Sequence, residues 1–259
     1  MLEIIVIFGV LFLILTFFYK QAVCEFRINQ MEWAQNEQVH ELLGEKIPLV
    51  VRSIPSATFW TSDDVKKRSC YTNLPIFKDM SLVQWITDAS SSSICPWKHT
   101  QAEHIAEAAG ISIWAQKWMN PVLIPILLKA WMMPRYYCWA GNVGLQKTFA
   151  TWTCIFPVDG EMLVTILPES MESSLPSLWT KQGEPLANCF PSQLTTKDTP
   201  FVADLKFLDI ILRPGHCLFM PPHWFVSWVS TTEKPIMACT ISYHSPISLL
   251  AFHSSPLNE

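Results

Sequence analysis

The chain has 259 residues, half of them hydrophobic, with 12 tryptophans, 8 glycines, 8 cysteines and a formal charge of -4. This length supports one large domain, or one domain with a helical subdomain, around a sizeable core. The acidic balance leaves no basic footprint, so nucleic acid is excluded as an expected partner.

Ile4 to Tyr19, IIVIFGVLFLILTFFY, is an uninterrupted apolar run followed by Lys20. A helix of this length rises about 24 Å, and Met1-Leu2 and Ala22-Val23 extend it toward the roughly 30 Å of a hydrocarbon core. The expectation is a single-pass transmembrane anchor over residues 1–23, with the lipid bilayer as a partner and the membrane as the location. No Lys or Arg precedes the run, and Gln21-Ala22-Val23 is a poor cleavage site, which argues against a signal peptide. Lys20 favours a cytoplasmic body, whereas Glu3 and the N-terminal amine oppose it, so the side of the membrane stays open.

Glu25 to Glu45 is polar and helix-compatible, with Trp33, Val39, Leu42 and Leu43 as inward candidates. Ile47 to Arg52 reads as a short strand, because Pro48 near its start is tolerated there. Thr61-Ser62-Asp63-Asp64 is a helix-start signal, since short side-chain oxygens satisfy the first free amides. Catalytic carboxylates at Asp63 and Asp64 are the weaker reading of the same residues. Asp79 to Asp88 predicts a short helix and Asp88 to Pro96 a serine-rich flexible surface loop. His99 to Trp118 is helical, and Pro121, Pro125 and Pro134 break the chain after it. Trp114, Trp118 and Trp131 in this region suit helices packed on the outside of the core, or a Trp-rich surface that meets a membrane or a protein partner. Residues 170–200, rich in Ser, Thr and Pro, read as a surface insertion.

The segment Leu208 to Val229, LDIILRPGHCLFMPPHWFVSWV, carries the most information. Leu208 to Leu212 favours a half-buried strand, and Pro214-Gly215 supplies a fixed φ followed by a residue that tolerates positive φ. Cys217 to Met220 is a second strand, Pro221-Pro222 ends it, and Trp224 to Val229 resumes extended structure. Ile236 to Tyr243 predicts a fourth, and the four are expected to be consecutive antiparallel strands.

This segment resembles the C-terminal core of the cupin-like and Jumonji-type oxygenases, whose typical form is L-x-x-G-D-x-L-x-I-P-x-x-W-x-H. The family's metal-binding histidine, two positions after the tryptophan, falls on Val226. Upstream, Trp139-Ala140-Gly141 and Gly144-Leu145 resemble the approach to the family's first metal strand. There the His-x-Asp positions fall on Gln146 and Thr148. Trp152 to Phe156, a turn at Pro157 to Gly160, and Met162 to Pro168 resemble the strands that follow. Lys46 to Arg52 is similar to the family's early P-V-V-x-R segment. The order of anchor, Pro-led strand and terminal core resembles membrane-anchored cupin-like proteins of giant viruses and algal metagenomes, which tend to carry degenerate metal positions. The resemblance implies a mainly β chain with flanking helices: a double-stranded β-helix (cupin or jelly-roll) barrel over 135–259, with 24–134 packing on it.

An iron and 2-oxoglutarate oxygenase needs two His and one carboxylate with open coordination positions. The window Asn142 to Cys154 contains no His, Asp or Glu, so the first-strand ligands are missing whatever the alignment. No metal and no cofactor is therefore expected. Fe(II) and 2-oxoglutarate enter only if His223 or His216 rebuilds a site. His223 precedes Val226 by an odd offset, which in a strand directs it to the opposite face. His216 lies where the family carries an acidic turn residue. His99 and His104 are a poor helical pair, and His40, His244 and His253 have no carboxylate pattern nearby. The cysteines at 24, 70, 95, 138, 154, 189, 217 and 239 show no C-x-x-C spacing; Cys154, Cys217 and Cys239 read as buried thiols. No nucleophile elbow, P-loop or dinucleotide fingerprint occurs. The functional expectation is a non-catalytic binding or structural module. A rearranged oxygenase, as hydroxylase or demethylase, and a small-molecule or glycan-binding barrel are the alternatives.

Overall fold

A computed structural model describes residues 2–20, 26–72, 74–77, 80–124, 129–176, 190–194 and 200–253. In chain order it opens with helix α1 (Leu2–Lys20) and strand β1 (Asn29–Glu32), followed by a 3-10 stretch at Trp33–Gln38. Helix α2 (Val39–Gly44) and strand β2 (Leu49–Arg52) follow, then α3 (Ser62–Lys67), α4 (Ser69–Thr72), β3 (Pro75–Phe77), β4 (Met80–Ser81) and α5 (Leu82–Asp88). Helices α6 (His99–Ala109), α7 (Ile111–Trp118) and α8 (Asn120–Leu123) complete the N-terminal part.

Local chemistry accounts for several of these boundaries. The Thr61 hydroxyl accepts from the Asp64 amide at 3.0 Å and starts α3. Ser81 and Gln84 close a capping box at the start of α5. Gly110, at φ +77, ends α6 and divides the expected helix 99–118 in two. The polar segment after residue 25 is only partly helical: β1 pairs in parallel with β2, Asn29 opposite Leu49, and Asn29 N donates to the Pro48 carbonyl.

The transmembrane expectation is corrected: among the described residues no helix is long and apolar enough to cross a membrane. The single-pass anchor and the membrane location read from it therefore fall. Between Glu3 and Lys20 the apolar stretch rises about 24 Å against roughly 30 Å of hydrocarbon. Its C-terminal turn is also committed to the body, where Thr16 is buried and the Tyr19 hydroxyl donates to the Phe149 carbonyl at 3.1 Å. The other faces of α1 expose Ile5, Ile7, Phe8, Leu13 and Phe17, each about two-thirds accessible.

The remaining strands build the rest of two sheets, in a chain of mixed helix and strand: β5 (Met133–Ala140), β6 (Val143–Lys147), β7 (Trp152–Asp159), β8 (Met162–Leu167), β9 (Leu208–Leu212), β10 (Cys217–Met220), β11 (Phe225–Ser230) and β12 (Met237–His244). A six-stranded sheet runs β1-β2-β10-β7-β12-β5 and a four-stranded sheet β6-β11-β8-β9. Among β5 to β12 only β8 and β9 are both sequential and paired; between the other consecutive strands of this set the chain changes sheet. The last four strands lie within a residue of their expected positions but do not pair with one another. Pro214-Gly215 makes a turn closed by His216 N donating to the Arg213 carbonyl, and Pro221-Pro222 carries the chain across to the other sheet. The expected turn at Pro157 to Gly160 is shorter, because β7 runs through Pro157 to Asp159 and reverses at Gly160, φ +91. Ladder irregularity beside Pro157 absorbs its missing donor.

One core cluster runs from Val39 and Trp60 through α6 and α7 into both sheets. Trp60 and Trp97 donate their indole N–H groups to the carbonyls of Trp139 and Cys138, both at 3.0 Å, pinning the N-terminal part to β5. The serine-rich loop is tied rather than free. Asn142 N donates to the Ser93 carbonyl, Cys95 N to the Asn142 carbonyl, and the Asn142 side chain to the Ser91 carbonyl. Of the insertion expected at 170–200, residues 177–189 and 195–199 lie outside the described residues, as do Cys24 and Cys189.

Candidate functional site

Strands β6 and β11 are adjacent and antiparallel, with Val226 opposite Gln146 and Phe225 opposite Lys147. Residues directly opposite one another share a face of the sheet, and alternate residues of one strand share it too. Trp228, two residues after Val226, meets Trp139 of the other sheet with ring centroids 6.2 Å apart, so this face looks between the sheets. Gln146 and Val226 therefore face the interior between the sheets together. Phe225 and Lys147 face outward, where Phe225 packs with Leu145, Leu167, Leu175 and Leu205.

Thr148 lies just past the end of β6 and acts as a clip. Its hydroxyl is 2.8 Å from the Pro221 carbonyl and 3.0 Å from the Trp224 carbonyl, toward which it donates. Its amide donates to the Trp224 carbonyl at 2.8 Å, and its own carbonyl accepts from His223 N at 2.6 Å. Two backbone bonds and one hydroxyl proton shared between two carbonyls thus hold the Pro221-Pro222-His223-Trp224 corner against β6, with Trp224 itself buried.

These three positions do not fit a divalent metal. A neutral amide and an isopropyl group oppose each other, and the hydroxyl that would complete the set is engaged with backbone carbonyls. Buried apolar side chains fill the surroundings: Ile166 sits opposite Val226 on β8, and Trp139 and Trp228 are each at most 1% exposed. Among the described residues no group of three His, Cys, Asp or Glu is arranged to hold a metal ion.

His223 stands on the outer side of the corner. It does not belong to a strand, so the odd-offset expectation rests on a premise the structure removes: its φ is +71, the left-handed region that a β-carbon disfavours. The residue is 8% exposed, Nδ1 lies 3.9 Å from Glu169 Oε1, and Nε2 is buried without a hydrogen-bond partner. The rings of Tyr19 and Phe149 enclose it at 5.9 and 6.5 Å. Burial pulls its pKa below the ordinary imidazole value; the Glu169 carboxylate opposes this and the Lys147 ammonium adds to it.

Lys147 completes a charged group that the sequence did not reveal. Its ammonium is 3.0 Å from Glu169 and 2.7 Å from Glu172, and it lies over the Phe225 ring at 5.4 Å. Glu169 and Glu172 share a face because a 3-10 turn eclipses residues three apart. The only sequence signal was a lysine at the outward end of an apolar strand, followed two strands later by Glu-x-x-Glu. His216 is remote from this group: it precedes β10 whereas His223 follows it, with four strand residues, roughly 13 Å, between them. Burial lowers the His216 pKa first, with Arg52 and Arg213 adding to the effect and Glu32 opposing it. The two histidines cannot share an ion.

The other candidates settle into structural roles. His99 packs edge-on against Tyr137 and Trp139, and exposed His104 approaches Glu107 at 3.7 Å. Asp64 holds Arg68 at 2.7 Å beside the helix cap. Trp60, Trp97, Trp139, Trp224 and Trp228 are core, whereas Trp118 and Trp131 are exposed.

No family model matches the chain. It is 30% identical over 101 residues to the Jumonji C domain-containing protein 5 of Drosophila melanogaster. That stretch is 38% of this chain, and the chain spans about a quarter, 23%, of the relative's length. This partial similarity supports a cupin or Jumonji C-like relationship for the chain.

Proposed function

We propose that the chain is a cupin-like domain that works as a non-catalytic binding or structural module, without the iron and 2-oxoglutarate chemistry of the oxygenases it resembles. The observation that carries this reading is the β6/β11 register, which sets Gln146 against Val226 where metal ligands are needed. Thr148, the third position, is occupied in bracing the corner. No acid, base or open coordination position remains there to activate oxygen.

The exposed apolar side chains of α1 support a contact role, because contiguous patches of this kind mark protein interaction sites. Trp118, Trp131 and Ile113, the last 73% accessible, are further exposed apolar side chains that a protein partner would cover. For the glycan-binding alternative, one pocket among the described residues, between Ile54-Ala57, Phe156-Val158 and Pro214-Gly215, holds about 140 Å³, below the roughly 300 Å³ at which drug-sized ligand sites begin.

Thermal unfolding of the full chain with and without Mn(II) plus 2-oxoglutarate tests the reading. A module that does not bind them melts at the same temperature in both, since only a ligand of the native state stabilises it. A rise that grows with ligand concentration would support the oxygenase instead.

A further inference from the structure

Strands β5 and β12 lie side by side with Cys138 directly opposite Cys239. Their sulfurs are 3.5 Å apart, both residues are fully buried, and both are free thiols. Directly opposed residues of an antiparallel pair have Cα atoms about 4.5–5.5 Å apart. A disulfide accepts about 4.4–6.8 Å, so side-chain rotation alone brings the sulfurs to bonding distance.

We propose that Cys138 and Cys239 form a cross-strand disulfide under oxidising conditions, a covalent clasp that locks β5 to β12. The oxidant is a low-molecular-weight disulfide such as oxidised glutathione. One cysteine, as thiolate, attacks a glutathione sulfur and expels one glutathione thiolate, leaving a mixed disulfide. The second cysteine loses its proton, attacks the protein-bound sulfur and expels the second glutathione. Two protein thiols are oxidised, one glutathione disulfide is reduced to two thiols, and two protons pass to the released thiolates or solvent.

Burial pushes the Cys239 thiol well above its ordinary pKa, so the enclosed pair is inert in the closed sheet and reacts while the strands part or before they close during folding. The geometry also selects the pair. Cys154 and Cys217 interact as well, but the ladder sets Phe219, not Cys217, opposite Cys154. That makes them diagonal neighbours about 7–8 Å apart, beyond the reach of a disulfide without backbone movement.

The test is refolding of the full chain in mild detergent with a reduced and oxidised glutathione buffer, acid quenching, alkylation of remaining thiols under denaturing conditions, and peptide mass spectrometry. The expected result is a Cys138–Cys239 linked peptide pair, with Cys154 and Cys217 alkylated. The oxidised chain should melt roughly 5–15 °C above the reduced one, because the bond closes a loop of about 100 residues in the unfolded state. Cys138→Ser and Cys239→Ser should each abolish both effects. Should these variants not fold, the wild-type peptide map still decides. Alkylation of both Cys138 and Cys239 in the oxidised folded chain, or their linkage to other cysteines, would overturn the proposal.

Discussion

The imidazole of His244 provides a quantitative test of how the sheets are packed. It ends β12 opposite Met133, and its Nδ1 is buried without a hydrogen-bond partner. Burial pulls its pKa down to about 4, and the Arg135 guanidinium acts in the same direction. The folded state therefore holds this ring neutral, whereas the unfolded chain protonates it at about 6.5. Between those values the unfolded state binds more protons, so stability is complete above about pH 6.5 and falls as the pH drops toward about 4. Proton linkage over that window gives a loss of about 2 kcal/mol on going from pH 7.5 to pH 5.0. Partial solvent access at the strand end reduces this to about 1–2 kcal/mol. The assay is urea unfolding of wild type and His244→Phe at both pH values, in mild detergent to protect α1. Carboxylates and His223 titrate in both proteins, so the difference between the two pH effects isolates His244. The wild type should lose about 1–2 kcal/mol more than the variant, roughly 0.5–1 M in urea midpoint. Equal losses would mean that the ring is solvated and that the end of β12 is not packed as described.

Gly141→Ala should destabilise by about 2–5 kcal/mol, since a β-carbon there at φ +87 meets the Ser93 carbonyl at 2.6 Å and Trp85 at 3.0 Å; a midpoint change within error in urea unfolding would refute the docking of the serine-rich loop. Thr148→Val should cost about 1–3 kcal/mol by stranding the Pro221 carbonyl, while the Trp224 carbonyl keeps the Thr148 amide. Trp fluorescence during urea unfolding follows this directly, and a neutral outcome would deny Thr148 its bracing role. Lys147→Met should cost roughly 1–3 kcal/mol in the same assay, because Glu169 and Glu172 lose their shared cation but are exposed enough to rehydrate in part.

The alternation of apolar residues and the Pro-Gly and Pro-Pro punctuation made the last four strands legible almost to the residue. Their partners were not legible, because a strand's own residues do not say which sheet it joins; β10 lies between β2 and β7, neither of them adjacent in sequence. The register between Gln146 and Val226 followed from family spacing, and the ladder places the two opposite each other. Thr148 read as a degraded ligand because its hydroxyl bonds to carbonyls about 73 residues away, which no local pattern records. The Lys147 group was hidden for the same reason. The His223 side chain was assigned by strand alternation, yet the Pro-Pro corner puts it at positive φ, where that rule does not operate. The apolar run Ile4 to Tyr19 gave its helix but not its placement, since Tyr19 is committed to Phe149 by a contact across 130 residues.

Gln146 and Val226, facing each other across β6 and β11, and Thr148 on the adjoining corner should hold no catalytic metal. Elemental analysis of the full chain, incubated anaerobically with excess Fe(II) and 2-oxoglutarate and then desalted, tests it most directly. Iron, manganese and zinc should stay far below one ion per chain, with no change on replacing His223 by Ala. About one tightly held ion per chain, lost in His223→Ala, would contradict it and establish a rearranged metal centre.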